Sequence, residues 1–146
     1  MNNFNKILIF FIVILTIPAF ALNSSSYLIA NTAIKYFDFE EAYSHYKFSK
    51  DDLSEFDLEN KLLTSIHLNL LAEANKTSKQ ILKINIYNNE AWIVHLAFAK
   101  LNNKMGIFDK FKKNKNNAEV DFINFIFFDQ NGNVKNNKNI ALSIFE

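Results

Sequence analysis

Residues 38–46 read Asp38-Phe39-Glu40-Glu41-Ala42-Tyr43-Ser44-His45-Tyr46, and the way this stretch folds decides the rest of the chain. Asp38 followed three residues later by Glu41 has the form of a capping box, in which each side chain satisfies a backbone N–H at the start of a helix. Phe39, Ala42, Tyr43 and Tyr46 then fall at steps of three and four, along one face of that helix. The pair Ala42 and Tyr46 recurs imperfectly as Ala74 and Ser78, thirty-two residues on. A fixed period of this length marks stacked units, each of which cannot bury its apolar face alone.

Working outward, the same helical spacing predicts further short helices. Ser24–Ser26 offer N-cap hydroxyls before Tyr27-Leu28-Ile29-Ala30, and Ala33, Ile34 and Phe37 extend that face, so the first helix should end near Tyr36. Ser54 with Asp57 repeats the start signal ahead of Leu58, Leu62, Leu63, Ile66 and Leu70. Ala74, Ser78, Ile81 and Leu82 make a fourth apolar set, and Asn88-Asn89-Glu90 opens a fifth helix with Ala91, Trp92, Ile93, Leu96, Ala97 and Leu101. Beyond Gly106 the spacing predicts a short helix around Ile107, Phe108 and Phe111, then the long apolar run Val120–Phe128 and a last piece, Ile140–Phe145. Val120–Phe128 is β-branched and aromatic, but a lone strand among helices has nothing to pair with, so it is read as helical. The Asn-Lys stretches Lys110–Asn117 and Asn131–Asn139 read as solvated loops.

Composition narrows the function. The 146 residues carry 16 basic and 15 acidic side chains, no cysteine, two glycines and one proline. All the basic residues are lysine, and without arginine the rigid fork that reads guanine edges is missing, which argues against sequence-specific nucleic-acid binding. The absence of cysteine excludes disulfides, thiolate metal sites and thiol nucleophiles. Residues 22–60 hold three lysines against eight acids, and residues 100–118 six lysines against one acid, so charge is uneven along the chain.

The N-terminus reads as an export signal. Lys6 and the α-amine precede the apolar run Ile7–Ile17, Pro18 interrupts it, and Ala19-Phe20-Ala21 places small residues at the two positions that define a cleavage site. An uncleaved membrane anchor is the alternative, but the eleven-residue run spans only roughly 16 Å of a hydrocarbon core of about 30 Å. The expected organisation is therefore a signal peptide over 1–21 and a helical domain over 22–146, periplasmic or secreted, with no stable membrane span after cleavage.

The region from Ser26 to Leu101 resembles secreted bacterial tetratricopeptide-repeat (TPR) proteins. The resemblance rests on Ser26-Tyr27-Leu28-x-Ala30-x-x-Ala33, Asp38-Phe39 before Ala42, Tyr46, and Ala91-Trp92, where Trp92 sits at the aromatic position of a repeat beginning near Asn89. The position that lets paired helices approach closely is Ala30, Leu62 and Leu96 in successive units, and Ile86 stands where a helix-ending proline is expected. The resemblance implies an all-α fold of antiparallel helix pairs stacked as a short α-solenoid, the leading part of a longer array. It implies a non-enzymatic protein that binds another protein or peptide, or helps assemble an envelope complex. The concave groove would be presented by the first helix of each pair: Tyr27, Asn31 and Lys35, then Glu59, Leu63 and Ile66, then Ile93, Ala97 and Lys100. Tyr27, Leu63 and Ile93 equally suit packing against neighbouring helices.

Other chemistry finds little support in the residues. His45, His67 and His95 lack metal-ligand spacing, Glu40 and Glu41 are consecutive and do not face each other on a helix, and neither glycine belongs to a phosphate-binding loop. Neither a catalytic site nor a cofactor or metal is expected. A small helical carrier of an apolar ligand such as lipid is the alternative function, suggested by Phe122–Phe128. The apolar ending, 120–146, is the reverse of the polar cap a solenoid needs on its last helix, so it is expected to dock on a partner or to self-associate.

Overall fold

The computed structural model describes residues 25–47, 53–114, 120–135 and 138–145, and the export signal and its cleavage site lie outside these. Eight helices run through the described residues: α1 over 25–35, α2 Phe39–Lys47, α3 Glu55–His67, α4 Leu71–Ile84, α5 Asn89–Leu101, α6 Gly106–Lys113, α7 Val120–Phe127 and α8 Lys138–Leu142. Among them the single extended pairing is an isolated antiparallel bridge between Phe128 and Val134. The fold is all-α, as the spacing predicts, and its sequential helix packing suits a helical-repeat solenoid. The chain divides into two compact units, residues 1–52 and 53–146.

Three helix starts are set by side chains read from the sequence. Asp38 Oδ1 accepts from Glu41 N at 3.1 Å, Ser54 Oγ from Asp57 N at 3.2 Å, and Asn88 Oδ1 from Ala91 N at 2.9 Å. Each oxygen satisfies one of the N–H groups that a first helical turn leaves without a partner, which contributes about 1 kcal/mol.

The helix ends carry the repeat more clearly than the side chains do. α1, α3 and α5 each stop in the same left-handed turn, with Phe37, Asn69 and Asn103 at φ of 60°, 54° and 56°. In each turn that residue's N–H donates three residues back, to Ile34, Ile66 and Lys100, and the next N–H donates five back, to Ala33, Ser65 and Ala99. This paired pattern is the Schellman motif, which satisfies the last carbonyls and turns the chain sharply out of the helix. The three turns stand thirty-two and thirty-four residues apart. The carbonyls that accept the longer bonds belong to small buried residues, Ala33, Ser65 and Ala99. Three-residue connections after α1 and α3 and a four-residue one after α5 then reverse the chain into α2, α4 and α6.

In the first unit Ala30, Ala33, Ala42 and Tyr46 form the core, with Tyr27 and Ile34 packed against it. Tyr46 is fully buried, and its hydroxyl donates to Asn31 Oδ1 at 2.7 Å, tying α2 to α1.

In the second unit α4 packs on α3 and on α5. Small hydroxyl residues are buried on both α3 and α4, beside larger apolar ones. Thr64, Ser65 and Ser78 are fully buried, and their hydroxyls donate to the carbonyls of Asn60, Lys61 and Asn75 on their own helices. Bonded in this way, these three bury without stranding a polar atom, whereas Oγ1 of Thr77 on α4, equally buried, has no hydrogen-bond partner. Lys61, almost wholly buried, reaches Glu73 at 3.0 Å and joins the two helices by an ion pair.

α5 is buried on nearly every side: Ala91, Trp92, Val94, His95, Leu96, Ala97, Ala99 and Lys100 are all inaccessible, as befits a central helix. It contacts α4, α6, α7 and α8. Phe108 and Phe111 of α6 meet Phe127 and Phe128 at ring separations of 5.8 to 6.1 Å, and Phe111 meets Trp92 at 5.3 Å, within the range of favourable aromatic pairs.

Three expectations change. Lys110–Lys113 lie within α6 rather than in a solvated loop, because Phe111 needs a helical position to reach Trp92 and Phe128. Asn131–Asn133 form an ordered turn, in which Asp129 Oδ1 accepts from Asn131 N and Asn133 N and Gly132 supplies a φ of 75°. The ending is covered in part by the chain itself: α8 packs on α5, and Ala141 and Phe145 are buried, while Phe125 and Leu142 stay exposed.

Candidate functional site

The site begins with two helices that share a neighbour. Both α3 and α5 pack on α4, and the connection from α4 to α5 is fastened back to α3 by two asparagines. Asn85 Nδ2 donates to Glu55 Oε1 at 2.8 Å, and Asn88 Nδ2 donates to Glu59 Oε1 at 2.8 Å. Asn88 therefore works at both ends, its oxygen capping α5 and its nitrogen holding a carboxylate on α3. This link fixes the separation of the two helices at their N-terminal halves.

Between them lies a cleft of about 260 Å³. From α3 it is lined by Glu59, Leu62, Leu63 and Ile66, and from α5 by Glu90, Ile93 and Val94. Ile144, two residues beyond the end of α8, supplies the remaining contact. Aliphatic side chains make the floor, and two carboxylates stand at its edge. Leu63 is 41% exposed, a large apolar surface left to water on the open side.

Four residues expected in the groove come together here: Glu59, Leu63, Ile66 and Ile93. Ala97 and Lys100 continue the same face of α5, but both are buried rather than open. Tyr27, Asn31 and Lys35 belong to α1 in the first unit, where Tyr27 packs on the core, Asn31 accepts from Tyr46, and Lys35 is exposed. Leu62, Glu90, Val94 and Ile144 are lining residues that the sequence reading missed. Leu62 and Val94 are one residue away from expected groove positions on the same helices, whereas Ile144 reaches the cleft only because the chain folds back onto α5.

The histidines are placed individually. His45 Nε2 lies 3.1 Å from Glu41 Oε1 one turn earlier, and His67 is exposed at the end of α3. His95 is buried, with Nδ1 2.7 Å from the acceptor Asn75 Oδ1, a contact that calls for a proton on Nδ1. Burial pushes its pKa down to about 4, and the positive charges of Lys79, Lys110 and Lys104 push the same way. Asn75 also opens an Asn-x-Thr triplet, but its amide is buried against His95 and cannot take a glycan in the folded chain. Among the described residues no three His, Asp or Glu side chains gather as metal ligands, and no helix is long and apolar enough to cross a membrane.

No protein family, curated protein or solved structure compared with the chain matches it.

Proposed function

We propose that the chain is an exported, non-enzymatic helical-repeat protein of the TPR-like kind, whose α3–α5 cleft binds a segment of another polypeptide. The observation that carries this reading is the cleft itself, an aliphatic floor set between two helices whose capping residues, Ser54 and Asn88, are thirty-four residues apart. A cavity of about 260 Å³ takes a few aliphatic side chains, which suits the anchor residues of a peptide. The carrier reading draws on Phe122–Phe128, but Phe127 and Phe128 use their rings to pack against Phe108 and Phe111, which leaves it less supported.

Site-specific photo-crosslinking in the native cell tests the proposal. A photoreactive residue at Leu63, in the cleft, should give a discrete adduct with one polypeptide, whereas the same group at exposed Lys83 of α4 should not. Equal labelling from both positions, or lipid adducts from Leu63, would contradict it. The mass of the chain that escapes crosslinking also reads the N-terminus, expected at Leu22 after export.

A further inference from the structure

Resting on that cleft reading, we infer that the bound segment is cationic as well as aliphatic: a Leu, Ile or Val side chain on the floor with a Lys or Arg beside it, facing Glu59 and Glu90. The floor of Leu63, Ile66 and Ile93 accepts the aliphatic part, and the two carboxylates at the edge come one from each helix. Among the described residues no lysine lines the cleft. Elsewhere in this unit the partly buried carboxylate Glu73 is matched by Lys61 at 3.0 Å. Glu59 is instead held by a neutral amide, Asn88 Nδ2 at 2.8 Å, and Glu55, one turn earlier, by Asn85. An amide fixes the position of a carboxylate without cancelling its charge, so the edge of the cleft keeps an oriented negative field.

That field selects among occupants. An apolar segment laid over the floor displaces water from Glu59 and Glu90, and desolvated carboxylates without a cation are costly. A lysine or arginine placed against them removes that cost and speeds the encounter. Ile144 forms one wall of the cleft, and its neighbours Ser143 and Phe145 bring no positive charge beside it. A cationic segment from a partner answers both halves of the site.

Selection of random dodecapeptides displayed on phage against the full chain tests the inference, with the enriched peptide then synthesised and titrated by fluorescence anisotropy. Enriched sequences should carry Lys or Arg within about four residues, one helical turn, of Leu, Ile or Val. Affinity should fall about tenfold or more in the double variant Glu59→Gln/Glu90→Gln and fall with added salt, as expected when close charge pairs are lost or screened. Gln keeps the acceptor for Asn88, and an unchanged circular dichroism spectrum confirms that the fold is kept. Ile144→Ser, which removes an aliphatic wall of the cleft, should weaken binding severalfold. Neutral or acidic peptides, or binding indifferent to the Gln variant, would overturn the charge inference while leaving the cleft reading in place if Ile93→Asp still abolished binding. No enrichment, or binding that survives Ile93→Asp, would overturn both.

Discussion

Trp92→Ala is expected to destabilise the second unit by about 3–5 kcal/mol, the usual cost of deleting a buried indole. Trp92 is 6% exposed, and its Nε1–H donates to the Ile86 carbonyl at 2.7 Å, so the ring locks the α4–α5 connection to α5. Its edge meets Phe111 at 5.3 Å, which joins the same ring to α6. Alanine would open a cavity among three elements and strand a carbonyl that now has a donor. Trp92→Phe keeps most of the ring and loses the hydrogen bond, so its cost should be nearer 1–2 kcal/mol. Urea unfolding followed by far-ultraviolet circular dichroism measures both variants, since Trp92 is the sole tryptophan and its fluorescence is lost with it. A loss below about 0.5 kcal/mol would mean that the indole is not packed as described.

Acid should weaken the fold through His95. Above its ordinary pKa of 6.5 the imidazole is neutral in both folded and unfolded chains, and it adds no pH dependence. As pH falls from 6.5 towards about 4, the unfolded chain takes up a proton that the buried ring refuses, so stability falls with pH. The loss approaches roughly 3 kcal/mol at the acid end, at about 1.4 kcal/mol for each unit of displacement. The proton would have to sit on Nε2, inside the fold and under the positive charge of Lys79, Lys110 and Lys104, while Nδ1 stays bonded to Asn75. Unfolding free energies measured between pH 4 and 7.5 should show this slope in the wild type. His95→Gln should flatten it, and an equal slope in that variant would assign the effect to carboxylates instead.

The sequence was legible where local chemistry decides the outcome. Asp38, Ser54 and Asn88 announce helix starts because a side-chain oxygen within three residues of an N–H needs no tertiary help. Trp92 and the apolar faces of α4 and α5 were legible for the related reason that helical spacing fixes which residues share a side. The left-handed turns at Phe37, Asn69 and Asn103 were not: asparagine favours that conformation but is too common in this chain to mark two of them, and nothing in a phenylalanine suggests φ of 60°. That turn costs roughly 1–2 kcal/mol at a residue with a bulky side chain, and it persists because the Schellman bonds and the docking of the next helix require it.

The candidate site was half legible for the same reason. Glu59, Leu63, Ile66 and Ile93 follow from helix register. The burial of Ala97 and Lys100 does not, nor does the arrival of Ile144, because these depend on helices that return to α5 from far along the chain. The Asn85 and Asn88 clamps span about thirty residues of sequence, and in a chain so rich in asparagine their composition carried no signal.

The most direct measurement is an amide nuclear magnetic resonance titration of the full chain with a selected Lys- and Leu-containing peptide. Shifts should concentrate at 59–66 of α3, 90–94 of α5 and 140–145, with α4's outer face unmoved. Shifts centred elsewhere, or spread evenly with no response at Leu63, Ile93 and Ile144, would contradict it.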